Sequence, residues 1–159
     1  MRVIIQRVLN ASVTVRGEMV AAIDYGLLLF LAIQKDDRDE DIDYIVDKVV
    51  HLRIFPNRSG RFDHSAKDVN ASMLLVSQFT LYGETRKGRR PSFTQSAPTS
   101  KALGMFSAAI EKFRLTGLEL NHGPFQENMQ ISLLNDGPVT IIIDSADRLI
   151  SRKTKFDRY

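Results

Sequence analysis

Apolar and polar positions first alternate along this chain, then adopt a helical spacing. Residues 2–8 and 11–16 predict strands, with Val13 and Val15 alternating against Ser12 and Thr14. Arg16-Gly17-Glu18 supplies a turn, and residues 19–23 return as another strand. Tyr25-Gly26 breaks the chain before residues 27–33, a run apolar throughout, as expected of a strand buried on both faces. Over residues 36–55 the period becomes helical, with Ile42, Ile45, Val46, Val49 and Leu52 defining the buried face. Asp37, Asp39, Glu40, Asp41 and Asp43 crowd its first turns, where carboxylates favour the helix dipole. No histidine accompanies them, so the cluster reads as structural rather than as a metal site.

Residues 56–70 are polar, with turns and room for one short strand. Residues 73–81 predict a strong strand, followed by a long loop over 82–97. A second helix is expected over 98–116, capped by Thr99 or Ser100 and ended by Gly117. Its apolar face is Ala102, Leu103, Phe106, Ala109, Ile110 and Phe113. Residues 118–120, 129–134 and 139–144 complete the set as strands. The order does not alternate strand and helix regularly, so a doubly wound parallel sheet is disfavoured. The expected class is α+β: one domain of antiparallel-rich sheets or a barrel, with two helices packed on it.

The length of 159 residues fits one domain, and 43% hydrophobic with 26% charged residues is ordinary for a soluble protein. The absence of cysteine excludes disulfides, thiolate nucleophiles and cysteine-ligated zinc. Residues 1–7 lack the features of a signal peptide, and the run 27–33 is too short to span a bilayer, so the default location is cytoplasmic. The net charge of +3 is modest. Its distribution says more: acids crowd into 36–43, bases into 86–90 and the C-terminal segment. A concentrated basic loop suits brief local contact with a polyanion, and equally a solvated loop.

Conventional chemistry finds little support. His51, His64 and His122 are isolated in sequence, without metal-ligand spacing; His51 reads as a partly buried helix residue and His64 as part of a polar loop. No phosphate-cradling glycine loop, dinucleotide fingerprint or nucleophile elbow occurs. Two segments stand out instead. In Ser77-Gln78-Phe79-Thr80-Leu81-Tyr82-Gly83 a buried strand turns polar near its end, placing Gln78 and Thr80 on one face and Ser77 and Phe79 on the other. It is a strand edge entering a loop, or a site. Asn135-Asp136-Gly137-Pro138-Val139-Thr140, between two apolar strands, reads most simply as a tight hairpin turn. The functional alternative has Gly-Pro presenting its backbone to a ligand.

These segments resemble the D-aminoacyl-tRNA deacylase family. The matching stretches are Gln6-Arg7-Val8, Ala11-Ser12-Val13, Leu52-Arg53-Ile54-Phe55, Ser77 through Gly83, Thr85-Arg86-Lys87-Gly88-Arg89-Arg90-Pro91-Ser92-Phe93, Met129-Gln130 and Asn135 through Thr140. They occur in the family's order over residues 1–145, the expected deacylase domain. Residues 146–159, with Arg148, Arg152, Lys153, Lys155 and Arg158, form a basic tail beyond the family's common end.

The resemblance implies a homodimer that hydrolyses the ester joining a D-amino acid to the terminal adenosine of tRNA, and that accepts the achiral glycyl ester mischarged on tRNA-Ala. It implies a cis peptide at Gly137-Pro138, inserted into the partner subunit's pocket, with Arg7, Asn135 and Thr140 supporting the motif. A backbone wall standing where an L side chain must go rejects L-esters without reading side-chain identity, and lets glycine pass.

Catalysis then falls to Ser77, Gln78, Phe79 and Thr80, through backbone amides near Phe79 and Thr80 and the substrate's own ribose hydroxyl. Thr80 as a covalent nucleophile is the rival and lacks an evident base. Phe79 and Met129 are candidate walls for the adenosine, and Arg86, Lys87, Arg89 and Arg90 candidate phosphate contacts. No cofactor or metal is expected. The competing classes are a non-catalytic RNA-binding module on the same fold and a nucleic-acid-processing enzyme, the latter lacking a metal-binding carboxylate set.

Overall fold

The computed structural model describes residues 1–149. β1 (Arg2–Val15) is the spine of the molecule. Along one edge it pairs antiparallel with β3 (Gly26–Ala32) and then with β2 (Glu18–Ile23). Along the other it pairs antiparallel with β8 (Gln130–Asp144). β3 runs parallel to β6 (Ser72–Ser77), and β6 parallel to β7 (Leu120–His122). β2 also packs against β6 and β7, so the sheet curls into a nearly closed barrel.

Helix α1 (Asp39–His51) packs on α3 (Thr99–Arg114) outside the sheet. Between α1 and β6 lie the ribbon β4 (Phe55–Pro56) with β5 (Phe62–His64) and the single turn α2 (Ala66–Val69). The expected α+β class with antiparallel-rich sheet holds, with a parallel contribution from β6.

The apolar run in β3 divides between two cores by its period of two. Leu27, Leu29 and Leu31 face the helices together with Met73 and Leu75 of β6. Leu28 faces the barrel interior with Leu74, Val76, Val8, Ala11 and Val13. At the start of β3 the backbone of β6 comes so close that a Cβ on Gly26 would sit 2.0 Å from the Ser72 carbonyl oxygen. Only glycine fits there.

Several elements differ from the sequence expectation. The two strands expected over 2–8 and 11–16 are one strand, whose register with β8 shifts between Gln6 and Asn10. The expected helix 36–55 is shorter because Asp37 is engaged before it: its carboxylate accepts the Met1 ammonium at 2.5 Å and the Gln34 amide at 2.6 Å. In α3 Leu103 is exposed and Met105 takes its place in the core. Neither Thr99 nor Ser100 caps α3; Pro98 holds that position without a side-chain bond, and Gly117 lies just past the last turn with φ of 82°. His51 is exposed, paired with Asp47 one turn earlier, and His64 lies in β5. The last short strand is shifted to Leu120–His122.

Candidate active site

The strand expected over 73–81 ends at Ser77, and residues Phe79–Tyr82 form a 3-10 turn. The alternation of faces inferred for Gln78 and Thr80 against Ser77 and Phe79 therefore fails beyond Ser77. The turn is stapled to the sheet by Arg2, which donates to the Leu81 carbonyl at 2.8 Å and to Asp144 at 2.8 Å. The Arg2 guanidinium also lies 4.9 Å over the Tyr82 ring.

Where β3 and β6 end, a cleft of about 510 Å³ opens between this turn, the start of α3 and the approach to β8. Ser77, Gln78 and Phe79 line it, as do Met129, Phe125 and Ser96, whereas Thr80 is not among its lining residues. The Ser96 hydroxyl donates to the Phe79 carbonyl at 3.2 Å. The Phe79 ring is 58% exposed and packs edge-on against Phe93 with centroids 5.0 Å apart. Phe125 and Ser96 were not singled out by sequence, which carries no periodic signal in those loops.

The Gln78 amide donates to Leu31 at the strand end, while the Gln78 side chain donates to the Thr80 hydroxyl oxygen. The amides of Phe79 and Thr80 open the 3-10 turn and find no acceptor among the described residues. Glu127 is the one ionisable side chain among those lining the cleft. His122 bonds the Gly123 carbonyl and packs on Phe106. No three of His, Cys, Asp and Glu among the described residues stand where they would hold a metal ion.

Gly137-Pro138 is not a hairpin turn. Both flanking runs belong to β8 and pair with the same strand β1, so the chain continues in one direction through a bulge. Thr140 lies opposite Gln6 and Asn135 opposite Val8, so residues 136–139 face the single residue Arg7. The Gly137-Pro138 peptide is cis, and both residues are exposed.

The bulge is built around Arg7, which is 5% exposed. Its Nε donates to the Asp136 carboxylate at 2.8 Å and its Nη1 to the Ile54 carbonyl. The guanidinium therefore holds the motif through Asp136, and the carbonyl it bonds belongs to the segment before β4. Asn135 donates to the carbonyls of Arg7 at 3.1 Å and Val139 at 3.0 Å, closing the bulge from both sides. Thr140 accepts from Gln6 at 3.2 Å on the exposed face. At Gly137, with φ of 117°, an added Cβ would lie 2.8 Å from Val139 Cγ2 and 2.9 Å from Arg7 Nη2. Glycine is required there by conformation and by space.

The basic loop hangs from the Glu84–Ser92 bridge, next to Phe93. Arg86 is committed within it: its Nε donates to Glu84 at 2.8 Å, as does its backbone amide, and these bonds hold the Glu84 carboxyl at about 2. Lys87, Arg89 and Arg90 are exposed. Of the bases noted near the C-terminus, Arg148 pairs with Asp41 of α1, while Arg152, Lys153, Lys155 and Arg158 lie outside the described residues.

The structure thus offers a cleft at the strand ends of a mixed barrel and, on β8, a backbone bulge held by a buried arginine. Residues 4–144 match the family model described as D-Tyr-tRNA(Tyr) deacylase. The chain belongs to that family. A D-aminoacyl-tRNA deacylase of Halothermothrix orenii is 49% identical over 145 residues, 91% of this chain and 97% of the relative. One of Dictyoglomus turgidum is 44% identical over 155 residues, 98% of this chain and 99% of the relative, so the C-terminal segment has a counterpart there.

Among solved structures, the c-Myc DNA unwinding element binding protein superposes with a TM-score of 0.85 at 38% identity, covering 91% of this chain and 98% of that one. A probable eukaryotic D-amino acid tRNA deacylase shares the fold, with a TM-score of 0.79 at 17% identity, covering 89% of this chain and 97% of that one.

Proposed function

We propose that this protein is a D-aminoacyl-tRNA deacylase: it hydrolyses the ester between a D-amino acid and the terminal adenosine of tRNA, releasing both. Membership of the family supports the reaction. The terminal adenosine enters the cleft against Phe125 and Met129, with Phe79 as the neighbouring wall. The ester carbonyl lies at the free amide of Phe79, a residue that lines the cleft, with the Thr80 amide next along the turn, and the two stabilise the oxyanion as water adds. An aminoacyl ester is already activated, and the adjacent ribose hydroxyl orients the water. The Thr80 hydroxyl oxygen accepts from Gln78, and among the described residues no base touches it, which disfavours a threonine nucleophile.

Chirality is judged by Gly137-Pro138 of a second copy. The observation that carries this reading is spatial: Gly137 and Pro138 are exposed on β8 and are absent from the lining of their own chain's cleft. A selector that acts on the cleft must then reach it from another subunit. Leu9 and Leu134, 46% and 52% exposed, lie on β1 and β8 beside the bulge and give such an interface apolar area. Glycine passes the selector because it has no side chain to reject, which extends the substrates to glycyl-tRNA mischarged on tRNA-Ala.

The test uses D- and L-tyrosyl-tRNA with the protein at known oligomeric state. Turnover of the D-ester alone by a dimer is expected; equal rates on both esters, or none on either, would count against the reading. Insertion in trans is checked by mixing two variants, Phe79→Pro and Gly137→Ala. Mixed dimers would regain one intact site, with a normal cleft from one subunit and a normal selector from the other. No regain of D-selective turnover defeats insertion.

A further inference from the structure

The β1–β2 hairpin closes on two residues, Arg16 and Gly17, between the paired Val15 and Glu18. Both have positive φ, 53° and 86°, as a two-residue I′ turn requires. Asn-Gly fills such a turn at least cost, and an arginine in the left-handed region is disfavoured. The side chain offers little stability in return. It is 82% exposed, and Arg16 Nη2 lies 3.4 Å from Glu127 Oε2, an exposed pair of the kind that contributes little to folding.

What the pair does accomplish is placement. Glu127 lines the cleft, so the guanidinium is tethered at its rim. Phe79, which also lines the cleft, leans on Phe93 next to the basic loop. That loop's bases are not among the cleft's lining residues, so Arg16 is the cation held at this part of the rim.

We propose that Arg16 is a phosphate-binding residue for the RNA substrate, contacting the phosphodiester just 5′ of the adenosine held in the cleft. This rests on the reading of the cleft as the seat of the acceptor end. A nucleotide chain whose last adenosine is buried must lead its preceding phosphates over the rim, and a guanidinium meets a phosphate with paired donors. In the free protein Glu127 keeps the guanidinium at the rim. When the phosphate arrives, the longer and weaker pair with Glu127 yields to it.

The decisive variant is Arg16→Asn, which suits the turn better than the native residue and so does not endanger folding. It is compared with the native protein on D-tyrosyl-tRNA and on D-tyrosyl-adenosine, which carries the same ester and no phosphate. KM for the tRNA ester is expected to rise about threefold to tenfold, and the slope of log KM against log salt to fall by about 0.7, with the adenosine ester unaffected. Arg16→Lys should recover most of the loss. An equal change on both esters, or none on either, overturns the phosphate site. If the native protein hydrolyses neither ester, the reading of the cleft fails and the phosphate site falls with it.

Discussion

At Thr80 the side chain and the backbone make opposite claims on the chemistry. The hydroxyl oxygen is occupied by the Gln78 side-chain amide, whereas the Thr80 backbone amide is free at the start of a 3-10 turn. Thr80→Val removes the hydroxyl and keeps the amide, so turnover of D-tyrosyl-tRNA should stay within a few-fold of native. Phe79→Pro deletes an amide at the first position of the turn, where proline is best tolerated, and should cost about 10²–10³ in kcat. Circular dichroism on the same samples separates this loss from unfolding. A Thr80→Val protein that folds but does not turn over would restore the nucleophile. Sequence singled out this stretch, yet it assigned Phe79 and Thr80 to an extended strand. The 3-10 turn that frees the amides has no pattern signal in four residues.

At the scale of elements, β8 is the informative one. Its two halves pair with a single strand, and the residues between them bulge outward opposite Arg7 instead of reversing direction. The bulge is held from three segments: Asp136 within it, Ile54 before β4, and Phe62 of β5, whose ring lies 5.8 Å from the Arg7 guanidinium. Lysine at this position offers one ammonium for two acceptors that the guanidinium fork reaches together. Arg7→Lys should therefore loosen the selector: D-tyrosyl-tRNA turnover changes little, L-tyrosyl-tRNA turnover rises, and the ratio of the two falls about tenfold, roughly 1.4 kcal/mol of discrimination. A ratio unchanged in a correctly folded variant would remove Arg7 from the selector. A Gly-Pro dipeptide between apolar runs looks the same in sequence whether it turns or bulges. Pairing with β1 decides which, and pairing is non-local.

For the whole molecule, a charged seam joins the first strand, the first helix and the last described turn. The Met1 ammonium bonds Asp37 and the Ser145 hydroxyl, while Asp41 receives Arg148 and the Arg38 amide. Burial alone would push the Asp41 carboxyl up, but hydrogen bonds from Ser145, Arg148 and the Arg38 amide bring it down to about 2. Because its pKa is lower folded than unfolded, the stabilisation is present above the unfolded value of about 4 and is lost as pH falls toward about 2. The Asp41 carboxylate should contribute about 2 kcal/mol near neutrality. Urea unfolding at pH 6 and at pH 2.5 checks it: Asp41→Asn should be less stable than native at pH 6, with the gap narrowing at pH 2.5. Asp37 and Asp41 of the acidic cluster are thus engaged in structural bonds, and the distant partners among them, Met1, Ser145 and Arg148, are connected to the cluster by no local pattern.

Local pattern determined much by itself. The apolar run of β3 required burial on two faces, the helical spacing of α1 and α3 required a common cover for the sheet, and the ordered motifs identified the family before any geometry was known. These are properties of neighbours in the chain, whose side-chain period is fixed by backbone sterics. Tertiary structure decided the rest. It merged residues 2–15 into one spine, turned the presumed hairpin into a bulge held by a buried arginine, and separated that bulge from the cleft on its own chain. Each of those outcomes depends on which strands meet, a choice made by burial and backbone pairing across distant segments rather than by any residue's neighbours.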